Sequence, residues 1–287
     1  MSSFAVLSEG RPLDRRLTPA RPDLAAATLH GKVEAARFVE GWRRRVIAGA
    51  APLRRSPSQD ASLETEALYG EGVTVYEERE GWAWGQLERD GYVGFLPLGA
   101  LGAPSEPTHR LAVPRSFAYP GPSIKLPPVL ALSLGARLAI TANEGDFAVT
   151  IDGLHVYGRH LVPLAAAAPD FVAVAERFLE TPYLWGGRTS QGIDCSGLVQ
   201  TALAEAGLSA PRDSDMMEAS LGAPIAVDDA LAGLRRGDLV FWKGHVAIMR
   251  DAETLLHANG HHMRVVSEPL RVARDRTKDP ITSIRRL

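Results

Sequence analysis

The spacing of apolar and polar positions changes along the chain, and the changes divide it. Residues 1–45 read as an N-terminal extension. Within it, Arg11 to Pro22 is rich in proline and arginine and reads as extended. Asp23 to Arg37, with Leu24, Ala27, Thr28 and Val33 at irregular helical spacing, is expected to make one short helix. From 46 to 103 the pattern becomes one of short β segments: Val46-Ile47, Glu66–Tyr69, Val73–Tyr76, Trp82–Leu87 and Tyr92–Leu96. Asp90-Gly91 is a hairpin signal between the last two, because the tight turns that join strands need residues tolerant of positive φ. So many short strands over so short a length predict a small closed barrel. Pro104–Pro107 reads as a linker, and a second β-rich block follows over 104–165, with segments at Arg110–Val113, Val129–Leu134, Arg137–Thr141, Phe147–Ile151 and Gly153–Tyr157. Its Glu144-Gly145 and Asp152-Gly153 stand at hairpin positions comparable with Gly81 and Asp90-Gly91, so it is expected to repeat the first barrel in degenerate form. Pro120–Pro128 would be a long loop in it.

The last segment, 166–287, behaves differently. Phe171, Val174, Ala175, Phe178 and Leu179 recur at helical spacing, as do Leu198, Val199, Ala202, Leu203 and Ala206. The second helix has Asp194 as a suitable N-cap and Gly207 where it should stop, which makes Cys195 its first residue. Strands are expected at Gly237–Trp242, His245–Met249 and Thr254–Ala258. Helices followed by an antiparallel sheet make this segment α+β.

Composition narrows the possibilities. At 287 residues two or three domains are the natural expectation, and 45% hydrophobic with 23% charged residues is ordinary globular usage. A net charge of −2 with no basic stripe gives no nucleic-acid partner. No window approaches the length of a membrane span, and Met1–Gly10 has neither a basic start nor a long enough apolar run for a leader, so a cytoplasmic location is expected. The single cysteine excludes an intrachain disulfide.

That cysteine stands where chemistry would use it. Helix N-termini present unpaired N–H groups and a favourable dipole, and together with a nearby imidazolium these can lower a thiol pKa from ~8.5 to ~3.5–7.5. A nucleophilic thiol needs a base and a group that orients the base. Antiparallel pairing about a turn centred on Asp251 would set His245 opposite His257, with Cβ atoms ~4.5–5.5 Å apart, so two imidazoles share one face of a hairpin. One Cys and two His also suggest zinc, but no close-spaced pair and no fourth ligand is evident, and no cofactor is expected.

Tyr183-x-Trp-Gly-Gly followed by Asp194-Cys195-Ser196-Gly197 resembles the NlpC family of papain-like cell-wall peptidases, and Gly244–Ile248 and Leu256-His257-Ala258 resemble its base and third polar positions. Ala67–Glu71, Gly81-Trp82 and Asp90–Gly94 resemble the bacterial SH3-like domain. The fold class expected is therefore two small all-β SH3-like barrels followed by an α+β papain-like cysteine peptidase domain. The resemblance implies Cys195 as nucleophile, His245 as general base and then acid, and His257 as the orienting group. The backbone N–H of Cys195 and the Tyr183 hydroxyl would face the oxyanion.

It also implies a substrate, a peptidoglycan stem peptide cut after γ-D-glutamate, of the L-Ala-γ-D-Glu-diaminopimelate type. The alternatives are an autolysin acting on intact wall and a non-catalytic wall-peptide-binding module. Asp194 and Ser196 flank the nucleophile, and Asp213-Ser214 matches a family loop lining the groove. The plain readings are an N-cap, a first-turn residue and ordinary loop polars. A released peptide has a free N-terminal L-Ala amine, and a buried ammonium needs a charged, hydrogen-bonding partner. Asp194 is one candidate carboxylate. From the first barrel the resemblance points to Glu64, with Glu66 as the alternative, and to Tyr92.

Overall fold

The computed structural model describes residues 13–226 and 231–287, so the first twelve residues, where the leader was sought, lie outside the described residues. The chain forms two compact units. One takes in the described residues up to His109 with Phe117–Leu132 and Ala136–Gly158; the other takes in Arg110–Ser116, Ser133–Gly135 and the chain from Arg159 onward.

In the first unit, Asp23 to Arg37 does not make the expected helix. Leu24, Ala25 and Ala26 are buried in succession, and no single helix face can cover three consecutive side chains. The segment instead pairs Ala25–Ala26 with Phe38–Val39 in parallel and holds one 3-10 turn, Ala27–Leu29. The barrel follows: β1 (Trp42–Val46), β2 (Ala50–Arg54), β3 (Leu63–Leu68), β4 (Gly72–Arg79), β5 (Trp82–Leu87), β6 (Val93–Pro97) and β7 (Leu101–Gly102). They form a seven-stranded sheet in the order β3-β2-β6-β5-β4-β1-β7. Alternate residues Ala51 and Leu53, Val73 and Val75, Ala83 and Leu87 point into one core with Ala67, Tyr92 and Leu96. The hairpin at Asp90-Gly91 joins β5 to β6 as expected. Strand β2 was not evident in the sequence, where Pro52 interrupts it.

The second β block is a five-stranded sheet of β8 (Arg115–Tyr119), β9 (Leu130–Ser133), β10 (Ile140–Glu144), β11 (Phe147–Thr150) and β12 (His155–Tyr157), in the order β9-β8-β12-β11-β10. Both expected hairpins are present, β10–β11 at Gly145 and β11–β12 at Gly153. Strand β8 lies in a stretch the pattern left unassigned. Asp152, in the second hairpin, accepts from Tyr69 Oη at 2.5 Å and from Arg45 Nη2 at 2.5 Å, so the Ala67–Glu71 motif serves to fasten the first unit internally.

The second unit is an antiparallel sheet with helices on it. Its helices are α1 (Phe171–Glu176), α2 (Cys195–Glu205), α3 (Ser214–Ser220) and α4 (Leu270–Arg276). After the two-residue hairpin of β13 (Arg188–Thr189) and β14 (Gly192–Ile193), the strands are β15 (Ala223–Pro224), β16 (Leu239–Trp242), β17 (His245–Met249), β18 (Thr254–Asn259), β19 (Arg264–Pro269) and β20 (Ile281–Arg286). The six-stranded order is β15-β20-β16-β17-β18-β19. Leu239, Phe241, Val246, Ile248, Leu256 and Ala258 face the core shared with Leu198, Val199, Ala202 and Leu203 of α2. Val240, Trp242, Ala247, Met249 and Leu255 face the opposite core with Leu270 and Ala273 of α4. Among the described residues no helix is long and apolar enough to cross a membrane.

Candidate active site

The site begins at the start of α2. Asp194 is its N-cap, with extended backbone, and its Oδ1 accepts from the Gly197 N–H at 2.6 Å. Its Oδ2 accepts from the Gly186 N–H at 2.9 Å, which ties the glycine-rich loop to the helix. Position 197 must be glycine, because a Cβ there would lie 2.4 Å from the Gly187 carbonyl oxygen. Gly207, at φ +78°, ends the helix as the sequence predicted.

Cys195 is the first helical residue and is buried. Burial pushes its thiol up to about 12, and the Asp194 charge adds to this. The N–H groups of Val246 and Ser196 and the Arg212 guanidinium oppose the rise without cancelling it. Burial thus works against the thiolate that a helix N-terminus and a nearby imidazolium favour.

Val246, buried in the same core as Cys195, is the residue after His245, which starts β17. His245 Nε2 lies 2.8 Å from His257 Nδ1, with ring centroids 5.1 Å apart. The two imidazoles meet as expected, but not in the expected register. Ile248 pairs with Leu256 and Met249 with Leu255, so the turn centres on Ala252, because Asp251 is spent accepting from the Glu253 and Thr254 N–H groups. A shift of two residues keeps both histidines on one face. Burial pushes His245 down to about 3, with the neighbouring His257 and Arg276 adding to it. Burial also lowers His257, against the pull of Glu268. The arrangement places an oriented imidazole pair at the head of β17, the strand that packs on α2, whose first residue is Cys195.

Residues 180–279 match the NlpC/P60 family, and residues 53–101 match the bacterial dipeptidyl-peptidase Sh3 domain. The chain carries an NlpC/P60 cysteine peptidase domain. A gamma-D-glutamyl-L-lysine dipeptidyl-peptidase of Bacillus cereus is 28% identical over 68% of this chain and 67% of that protein. Dipeptidyl-peptidase 6 of Lysinibacillus sphaericus is 28% identical over 75% of this chain and 86% of that one. The fold is that of a solved NlpC/P60 family protein from Bacillus cereus ATCC 10987, with a TM-score of 0.71 over 85% of this chain and 99% of that chain, at 23% identity. The SH3 match stops at 101, so it covers the first β block and not the second.

Around the NlpC/P60 cysteine, the other candidate residues fall out as follows. Tyr183 is half-buried against the core of the unit, and burial, with the Asp194 charge adding to it, raises its hydroxyl to about 12, so it remains a donor at neutral pH. Ser196 is buried and donates to Asp194 Oδ1 at 3.3 Å. Asp213 caps α3 by position and Ser214 is the first residue of that helix. Asp194 already has a cationic partner. Arg212, itself buried, donates to both its oxygens at 3.0 and 2.6 Å and to Ser196 Oγ at 2.8 Å. In the first unit, Glu64 accepts from Arg55 at 2.8 Å, Glu66 sits opposite Pro52 on β3, and Tyr92 is buried in the barrel core.

The sequence reading missed four residues that structure the site. Arg212 fixes Asp194. Glu268 on β19 lies 2.8 Å from His257 Nε2, Arg276 at the end of α4 holds Glu268 with bonds of 2.7 and 2.6 Å, and Asn259 Nδ2 lies 2.8 Å from the same His257 nitrogen. Arg212 had one signal, an arginine directly before the Asp213-Ser214 motif. Glu268, Arg276 and Asn259 had none, since their meeting depends on strand register.

Proposed function

We propose that this protein hydrolyses the γ-D-glutamyl–L-diamino acid bond of released murein peptides that carry a free N-terminal L-Ala. The observation that carries the chemistry is the 2.8 Å His245–His257 pair at the head of the strand whose next residue, Val246, is buried in the same core as Cys195. His245 Nε2 is committed to His257, so Nδ1 takes the thiol proton. The sulfur attacks the scissile carbonyl, and the oxyanion is met by the Cys195 N–H and the Tyr183 hydroxyl. His245 returns the proton to the departing diamino-acid amine, which leaves a thioester. Water, deprotonated by His245, then releases the γ-D-glutamyl product and the thiol.

The substrate class is supported by the dipeptidyl-peptidase names of the relatives and by the dipeptidyl-peptidase description of the matched Sh3 domain. A dipeptidyl-peptidase acts from a free N-terminus, which polymeric wall does not offer, so the reading favours peptidoglycan recycling in the cytoplasm over attack on intact wall. Purified protein is incubated with L-Ala-γ-D-Glu-L-Lys, with the diaminopimelate analogue, and with the N-acetylated form of each. Mass spectrometry should show L-Ala-D-Glu released from at least one free peptide, little from the acetylated forms, and none with Cys195→Ala. Equal cleavage of free and acetylated peptides would overturn the free-amine reading; cleavage surviving in Cys195→Ala would overturn the mechanism.

A further inference from the structure

A base that exchanges its proton through Nδ1 must keep its other proton on Nε2, and something must choose that tautomer. At His257 two neighbours compete for Nε2: the Glu268 carboxylate at 2.8 Å, which can only accept, and the Asn259 Nδ2 amide at 2.8 Å, which can only donate. The amide cannot turn round without loss, because Asn259 Oδ1 already accepts from the His262 N–H at 2.8 Å. If Asn259 prevails, His257 carries its proton on Nδ1 and donates to His245 Nε2. The His245 proton then sits on Nδ1, the nitrogen that this reading gives to the thiol proton, and the base is blocked. If Glu268 prevails, His257 carries its proton on Nε2, accepts at Nδ1 from the His245 Nε2–H, and leaves the His245 Nδ1 lone pair for the thiol proton.

We infer that Glu268, pinned by Arg276, is a positioning residue that sets the tautomers of both imidazoles and so arms His245 as a base. The inference rests on the reading of His245 as the base. A charge-assisted hydrogen bond is roughly twice as strong as a neutral one, so the carboxylate outweighs the amide. Burial pushes the Glu268 carboxyl up, but the Arg276 guanidinium and the His257 imidazole overcome this and hold it well below the usual range. It therefore remains an acceptor throughout the neutral region. Other charged or titratable groups around the pair are His262, whose Nδ1 is 3.9 Å from Glu268 Oε1, and Asp194, whose charge acts on His245. Neither touches the contested nitrogen.

The test is nitrogen-15 NMR of histidine-labelled full-length protein near pH 7, without substrate, alongside kinetics on the peptide that wild type cleaves. Wild type should show both His245 and His257 protonated at Nε2. In Glu268→Leu only Asn259 remains at the His257 nitrogen, so both protons should move to Nδ1. There kcat should fall roughly 10²-fold, the lower range for general-base loss, with KM little changed. A wild-type spectrum with His257 protonated at Nδ1 overturns the inference whether or not the variant folds. So does a Glu268→Leu enzyme that keeps both tautomers and its kcat. The tautomers are read without turnover, so they stand or fall separately from the proposed substrate.

Discussion

Cys195 and His245 each sit where burial opposes charge, and the two oppositions together define the resting state. The thiol is raised from 9.0 to about 12 and the imidazole lowered from 6.5 to about 3, so neither carries charge at neutral pH. Stability follows with opposite signs. Between 9.0 and about 12 the folded state holds a proton on Cys195 that the unfolded chain has lost, so stability falls as pH rises through that window. Between 6.5 and about 3 the unfolded chain binds a proton at His245 that the fold refuses, so stability falls as pH drops. The prediction is that Cys195→Ala flattens the alkaline limb of a Tm-against-pH curve and His245→Gln the acid limb, each leaving the other limb in place. Iodoacetamide should accordingly alkylate the unliganded enzyme with an apparent pKa above that of a free thiol. A plateau of alkylation already reached at pH 7 would show a standing thiolate–imidazolium pair and refute the neutral site. Cys195 and its cap were legible in the sequence because a helix start is written within a few residues. The pKa was not, because burial is set by side chains brought from Val246 and the core behind it.

Helix α2 depends on what holds its first turn. Asp194 does three things at once: it caps the helix through Gly197, tethers the loop through Gly186, and neutralises Arg212, which is 1% exposed. Removing one member of a buried ion pair strands the other, at a cost of about 3–5 kcal/mol. Asp194→Asn should therefore destabilise the protein by about that amount in denaturant unfolding, although asparagine is as good a cap as aspartate. Replacing both, as Asp194→Asn with Arg212→Met, should recover part of the loss, since the unpaired cation is gone. A single variant as stable as wild type would mean that capping alone accounts for Asp194. The cap was readable from position, whereas the arginine behind it was not, because residues 194 and 212 meet only after α2 reverses the chain. The histidine hairpin shows the same limit. Strand order and shared face followed from the apolar pattern, but the register was wrong by two residues because Asp251 forms the turn with its own side chain.

The second unit as a whole is not the continuous C-terminal segment that the sequence marked off at 166. It includes Arg110–Ser116 and Ser133–Gly135, and these contribute more than connection. Leu134 is fully buried in the same core as Val199 and Phe241. Arg177 donates to the Ala112 carbonyl at 2.8 Å, and Ser133 Oγ lies 3.4 Å from Ser190 Oγ. Arg110 forms an ion pair with Glu205, the last residue of the cysteine helix, and donates to the Ala166 carbonyl at 2.9 Å. Both residues of that pair are buried, 8% and 4% exposed. The β pattern of the second block hid this, because a strand signal gives no information about which core its ends join. The sequence separated the barrel block from the peptidase because their periodicities differ, but it placed the cut by composition, at a run of alanines. The consequence is measurable in the full-length chain. Arg110→Met leaves Glu205 buried without its partner at the far end of the helix that presents Cys195, and should cost about 3–5 kcal/mol of the stability of this unit. Adding Glu205→Leu removes the stranded charge and should restore most of it. If Arg110→Met unfolds at the wild-type denaturant concentration, or if the second substitution deepens the loss, the pair does not anchor the helix.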